Sequence, residues 1–162
     1  MGNKSNIIVG AAVLKVNGVD CGYTQGGVVL RYSPEYFDVE ADQLGGIAKK
    51  EKIMEKMFVS TTLLEATLKN LQQAMNQPSA NLISGTQLTF GEAALSSTEF
   101  ALTITGKGPD GLDRTYNFYR AVSSEEVEFG AGYRDQASVI PITWELLKDE
   151  AHNSTFGYMT EV

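Results

Sequence analysis

Hydrophobic and polar residues alternate with a period of two along most of this chain, as in strands with one buried face. Residues 12–16 (Ala-Val-Leu-Lys-Val) run into Asn17-Gly18, a pair suited to a two-residue hairpin turn because both positions tolerate positive φ. Gly22, Gly26 and Gly27 interrupt the next stretch, and residues 28–32 open a second strand that passes Pro34. A proline there predicts an edge strand, a bulge or a break, since it donates no ladder hydrogen bond. Another long strand is expected over residues 53–61 and a short one over 88–90. Phe100, Leu102 and Ile104 alternate with Ala101, Thr103 and Thr105, while Tyr116, Phe118 and Val122 alternate with Asn117, Tyr119 and Ala121. Val127, Phe129 and Ala131 alternate with Glu126, Glu128 and Gly130, predicting a strand with an acidic face. A last strand, Ile-Pro-Ile-Thr-Trp-Glu-Leu over 140–146, precedes a polar tail at 148–162.

One segment follows helical spacing instead. Thr62-Leu63-Leu64-Glu65 reads as a capping box, with the acid three residues after the threonine. Leu64, Leu68, Leu71 and Met75 then fall at i, i+4, i+7 and i+11, a single apolar stripe, and Pro78 closes the segment. The spacing predicts an amphipathic helix laid on the sheet. Burying those four side chains would contribute about 6–12 kcal/mol as an upper bound.

Residues 36–42, Tyr-Phe-Asp-Val-Glu-Ala-Asp, sort charge from oil. As a strand they place Asp38, Glu40 and Asp42 on one face and Phe37, Val39 and Ala41 on the other. Stacked carboxylates repel one another, so the arrangement makes sense on a surface meant to repel an anion, such as a wall that nucleic acid slides past. Gln43, Leu44, Gly45, Gly46 and Ile47 form a flexible tip, with Lys49, Lys50 and Lys52 after it. Together, residues 33–62 read as an extended hairpin arm whose tip is too charged to pack on its own domain. The lysines either meet an acidic neighbour or stay solvated, and the acids either line a surface of their own or pair with those lysines.

Composition narrows the chemistry. A length of 162 residues predicts one domain, 1–162, and 43% hydrophobic with 20% charged residues is ordinary for a globular protein. A net charge of −7 disfavours grip on phosphate backbones, which needs clustered Lys and Arg. The single cysteine, Cys21, allows neither an internal disulfide nor a multi-cysteine metal site and reads as a half-buried thiol. No apolar run is long enough to span a membrane, and the first residues show neither a signal core nor a myristoylation pattern. Assembly in a cytoplasm is expected. Gly106-Lys107-Gly108-Pro109-Asp110-Gly111 fits a dinucleotide-binding pattern letter for letter. A strand rather than a helix comes after it, so a hairpin loop is the better reading. The only histidine, His152, lies in the polar tail, and no nucleophile with its base stands out. No enzyme and no cofactor are expected.

Four pieces in this order resemble the bacteriophage tail tube proteins. They are residues 10–18 through Gly27, the long hairpin with Asp-Val-Glu-Ala-Asp-Gln at 38–43, Thr-Thr-Leu-Leu-Glu-Ala-Thr-Leu-Lys-Asn at 61–70, and Ile-Pro-Ile-Thr-Trp-Glu-Leu-Leu at 140–147. The resemblance implies a mainly β fold, a β-sandwich with one flanking α-helix. Six copies would close into a ring whose inner sheets form one β-barrel around a DNA channel, and the rings would stack. It implies Asp38, Glu40 and Asp42, then Glu126 and Glu128, as lumen-lining residues. The hairpin residues 43–47 with Lys49, Lys50 and Lys52 would make contacts between subunits or rings. Implied partners are other copies of the chain, baseplate or tail-tip and terminator proteins, a tape measure protein and DNA in the lumen, and a sheath in contractile tails. The implied location is the virion tail. An extra C-terminal domain, carried by some tail tubes, is not expected after Leu147. Related tubes occur in tailocins and type VI secretion, which leaves the machine open, and a monomeric β-sandwich binding module is the remaining alternative. Elementary physics agrees with the resemblance, because intermolecular closure removes exposed sheet edges and a head-to-tail contact builds rings or filaments.

Overall fold

The computed structural model describes residues 2–8 and 10–162, and half of the chain is strand. The strands are β1 (Val13–Val16), β2 (Val19–Asp20), β3 (Thr24–Ala41), β4 (Gly46–Leu63), β5 (Leu82–Ile83), β6 (Gln87–Leu88), β7 (Phe100–Lys107), β8 (Asp113–Ser123), β9 (Ile140–Leu147) and β10 (Gly157–Glu161), with one α-helix among the described residues, α1 (Leu68–Ala74). Eight strands form one antiparallel sheet in the order β2-β1-β7-β8-β9-β4-β3, with β10 lying beside β8, while β5 and β6 make a separate small ribbon.

Alternation became pleat as the sequence predicts. Leu14 and Val16 of β1, Phe100, Leu102 and Ile104 of β7, Val59 and Leu63 of β4, and Ile140, Ile142, Trp144 and Leu146 of β9 all point into one buried cluster. Asn17 and Gly18 take φ of 49° and 78°, and the turn closes Val16 against Val19. Val28, Leu30 and Tyr116 pack partly on the same cluster, so the sheet folds over until β3 approaches the β1–β7 end. It does not close, because its path keeps two ends, β2 and β3. The two layers expected of a sandwich are thus one continuous ladder bent over itself.

The helix corrects the sequence reading. It starts at an N-cap on Thr67, whose Oγ1 accepts from the Asn70 N–H at 3.2 Å, and it has 7 residues. Thr62 and Leu63 cannot begin it, because β4 uses them to pair with Pro141 and Ile140 of β9. The expected stripe is not the buried face: Leu64 is exposed, Leu68, Leu71 and Met75 are half-buried, and of these Leu71 packs on the core. Asn70, Gln72, Gln73 and Ala74 are buried instead. Polar groups can lie there because they are matched. The Asn70 side-chain amide donates to the carbonyls of Cys21 (2.9 Å) and Glu65 (2.8 Å), and Gln72 donates to the Gln77 carbonyl at 2.6 Å. Burial, with Asp20 close by, pushes the Cys21 thiol up to about 11, so it sits here as a neutral core group.

Two further expectations change. Residues 127–131 form no strand, although their alternation survives: Val127 and Phe129 pack on the core while Glu126 and Glu128 stay exposed. The tail at 148–162 contains β10, which pairs from Gly157 opposite Phe118 to Glu161 opposite Arg114. The G-x-G-x-x-G segment runs from the end of β7 into the β7–β8 connection, with Asp110 left-handed at φ 53° and strand β8 after it.

These burial differences set mutational costs. Leu63→Ala removes a side chain with no exposed surface and should cost about 2–5 kcal/mol in denaturant unfolding. Leu68→Ala, half-buried on the helix, should cost about 1 kcal/mol. Equal costs would mean that the stripe is core after all.

Candidate functional site: the projecting arm

β3 and β4 are each 18 residues long, far more than the sheet can use. β4 pairs with β9 only from Met57 opposite Leu146 to Leu63 opposite Ile140. Beyond Met57 its only strand partner among the described residues is β3, so residues 33–56 leave the body as a two-stranded ribbon. Its end is a four-residue turn at 42–45, where the Leu44 N–H donates to the Ala41 carbonyl and Gly45 supplies φ of 60°. Pro34 sits in β3, the edge strand of the sheet, which is where a residue without a ladder donor is tolerated. The expected arm is therefore present, but residues 57–62 belong to the body.

Register sorts the arm into two faces. On one, Tyr32, Pro34, Tyr36, Asp38 and Glu40 oppose Met57, Glu55, Lys52, Lys50 and Ile47. On the other, Glu35, Phe37 and Val39 oppose Met54, Glu51 and Lys49. Neither face is covered: Phe37 is 58% exposed, Leu44 71%, Ile47 53% and Ile53 60%. A two-stranded ribbon in water is marginal by itself, and apolar residues on both of its faces gain nothing from solvent.

A charged network anchors the arm to the body. The Tyr32 hydroxyl donates to Glu55 Oε2 at 2.7 Å and accepts from Lys52 Nζ at 2.8 Å. Lys148, just after β9, reaches Glu55 Oε1 at 2.7 Å. The Lys148 bond, then the Tyr32 bond, holds the Glu55 carboxyl down at about 2. Lys52 Nζ and Lys50 Nζ lie 5.5 Å and 5.7 Å from the Tyr32 and Tyr36 ring centres, cation–π distances.

The predicted lumen acids do not form one surface. Asp38 pairs with Lys50 across the hairpin at 2.9 Å, one of the two outcomes that the sequence left open. Glu40 shares its face, whereas Asp42 lies in the turn. Glu126 and Glu128 sit on the irregular segment between β8 and β9, away from the arm. With Glu125, Glu126 borders a groove of about 390 Å³ over the outer side of β4 and β9, lined by Ser60, Thr62 and Thr143. Of the predicted tip, Gln43, Leu44 and Gly45 lie in the turn, while Gly46, Ile47, Lys49, Lys50 and Lys52 are strand. Lys49 pairs with Glu51 and Lys52 with Glu55, so the lysines are largely answered within the arm.

Sequence reasoning missed the anchor, Tyr32, Glu55 and Lys148. Tyr32 and Tyr36, four apart on a strand, were the available signal. It also missed the end of the tail, where the His152 ring stacks on Tyr119 at 3.8 Å and its Nδ1 meets Asp149 Oδ2 at 2.6 Å. That contact lowers the Asp149 carboxyl. At the foot of the arm an apolar cleft of about 340 Å³ opens between Leu30, Met57, Tyr116, Phe118 and Phe156. Among the described residues no three His, Cys, Asp or Glu side chains meet to hold a metal ion, and no helix is long and apolar enough to cross a membrane. The chain matches no protein-family model and no curated protein.

Because the Glu55 carboxyl ionises more readily folded than unfolded, its contribution to stability is full above the usual value of 4.5 and is lost as pH falls toward about 2. Glu55→Gln should flatten the fall in thermal midpoint across that acid range. A wild-type slope kept in the variant would mean that the network does not anchor the arm.

Proposed function

We propose that this chain is a structural subunit that assembles head-to-tail through its arm into stacked rings, making a tube of the kind that bacteriophage tails use to conduct DNA. The arm carries the reading. Residues 33–56 expose Phe37, Leu44, Ile47, Ile53 and Met54 on a ribbon too thin to bury them, and a second copy supplies the missing surface. The free outer edge of β3 points the same way, since an 18-residue unpaired edge is a hazard unless assembly covers it. A contact between two different patches on identical copies propagates, closing into a ring or running on as a filament. Six copies per ring, a barrel shared between them, and tail-tip, terminator, tape measure or sheath partners come from the resemblance and belong to the same proposal.

Charge suits a conduit. At −7 the chain gains little from displacing counterions on DNA, so a channel built from it lets phosphate pass. Within this reading the groove with Ser60, Thr62, Thr143 and Glu126 is a better wall than the Asp38 face, because Lys50 cancels Asp38.

Concentrated protein should show hollow rings or tubes in negative-stain microscopy. Replacing residues 36–53 by an Asn-Gly turn joins Glu35 directly to its partner Met54 and should leave a folded monomer. A whole chain that stays monomeric at every concentration overturns the proposal, as do normal tubes from the shortened arm.

A further inference from the structure

β8 is longer than either strand on its second side. β9 covers only its residues 120–123, and β10 covers 114–118. The side chains of β10 bury little. Four of its five residues are exposed, Tyr158 and Met159 by 51% and 53%, and the cleft beneath stays open between Tyr116, Phe118 and Met57. The chain enters β10 through Asn153 and Ser154, two successive non-glycine residues at φ of 58° and 55°. L residues rarely hold that conformation, and release of the strand relieves it. The strand is held by its ladder and by the Arg114–Glu161 pair, with Gly157 pressed so close that a Cβ would lie 2.0 Å from the Asn117 carbonyl oxygen.

We infer that β10 is a removable cover on the edge of β8, and that strand β3 of a second copy's arm replaces it during assembly. This rests on the proposed role of the arm and names where the arm docks. The match lies in spacing and charge. On the cleft side β10 offers Met159 over Tyr116 and Glu161 over Arg114. Run parallel to β8, one face of β3 sets Val39 over Phe118, Phe37 over Tyr116 and Glu35 over Arg114. It thereby supplies the acid that Arg114 loses and a larger apolar side chain for the open cleft. The exchange also explains how a chain with long free edges stays dispersed: the docking edge is capped until an arm arrives.

Thr115 and Thr160 oppose each other in a hydrogen-bonded pair, about 5.5 Å apart at Cα, within the disulfide range. Thr115→Cys with Thr160→Cys, oxidised, should lose assembly, and reduction should restore it. Gly157→Ala, which pushes β10 off its seat, should shift assembly to lower protein concentration. Glu35→Lys should abolish tubes, and adding Arg114→Glu should regain them. Tubes from oxidised and reduced protein alike overturn the cover and leave the arm's role standing, whereas no tubes from any form overturn both. Tubes from Glu35→Lys at wild-type levels overturn β3 as the replacing strand.

Discussion

A strand longer than its sheet must still answer for every backbone N–H and C=O, and β4 decides the architecture on that ground. Its body half, Met57 to Leu63, lies between β9 and β3 with both edges paired and Val59 and Leu63 fully buried. Its outer half has β3 alone. The same continuous ladder therefore turns from core into ribbon within a few residues, and the body, the arm and the cleft at their junction are all set by where β9 stops.

The junction is built for load. Glu55 gathers Tyr32 and Lys52 from the two strands of the hairpin and Lys148 from just after β9, so the root of the ribbon is tied to the body on both sides. The exposure at this site is moderate, which screens each ion pair; the value of the network lies in orientation. An arm that must find a partner benefits from being held out in advance, because less order is lost on docking.

Much of this could be read from the residues. The Asn17-Gly18 turn, the strand that became β9 and the long hairpin came from period-two spacing and turn chemistry. The helix did not, because Leu64, Leu68, Leu71 and Met75 look like a core stripe while Gln72 and Asn70 look solvated. Hydrogen bonds to the Gln77, Cys21 and Glu65 carbonyls reversed that order: two close within five residues of the helix, and the third reaches Cys21 across the fold, which spacing along the helix does not encode. β4 also claimed Thr62 from the capping box. β10 escaped notice because exposed residues show no alternation of oil and charge, and the 127–131 segment kept its alternation without a ladder. Asp38 and Glu40 share a face as the alternation predicts, but Asp42 falls in the turn, and the lysine partner of Asp38 depended on register, which two bulges in the arm displace.

Hydrogen exchange over the arm tests its role most directly. In the free chain, amides of residues 46–56 should exchange much faster than those of residues 57–63, since only the latter have strands on both sides. In assembled particles, protection of residues 33–56 should rise to that of the core strands. Particles that form while the arm amides go on exchanging as in the free chain would contradict the arm as the joining element.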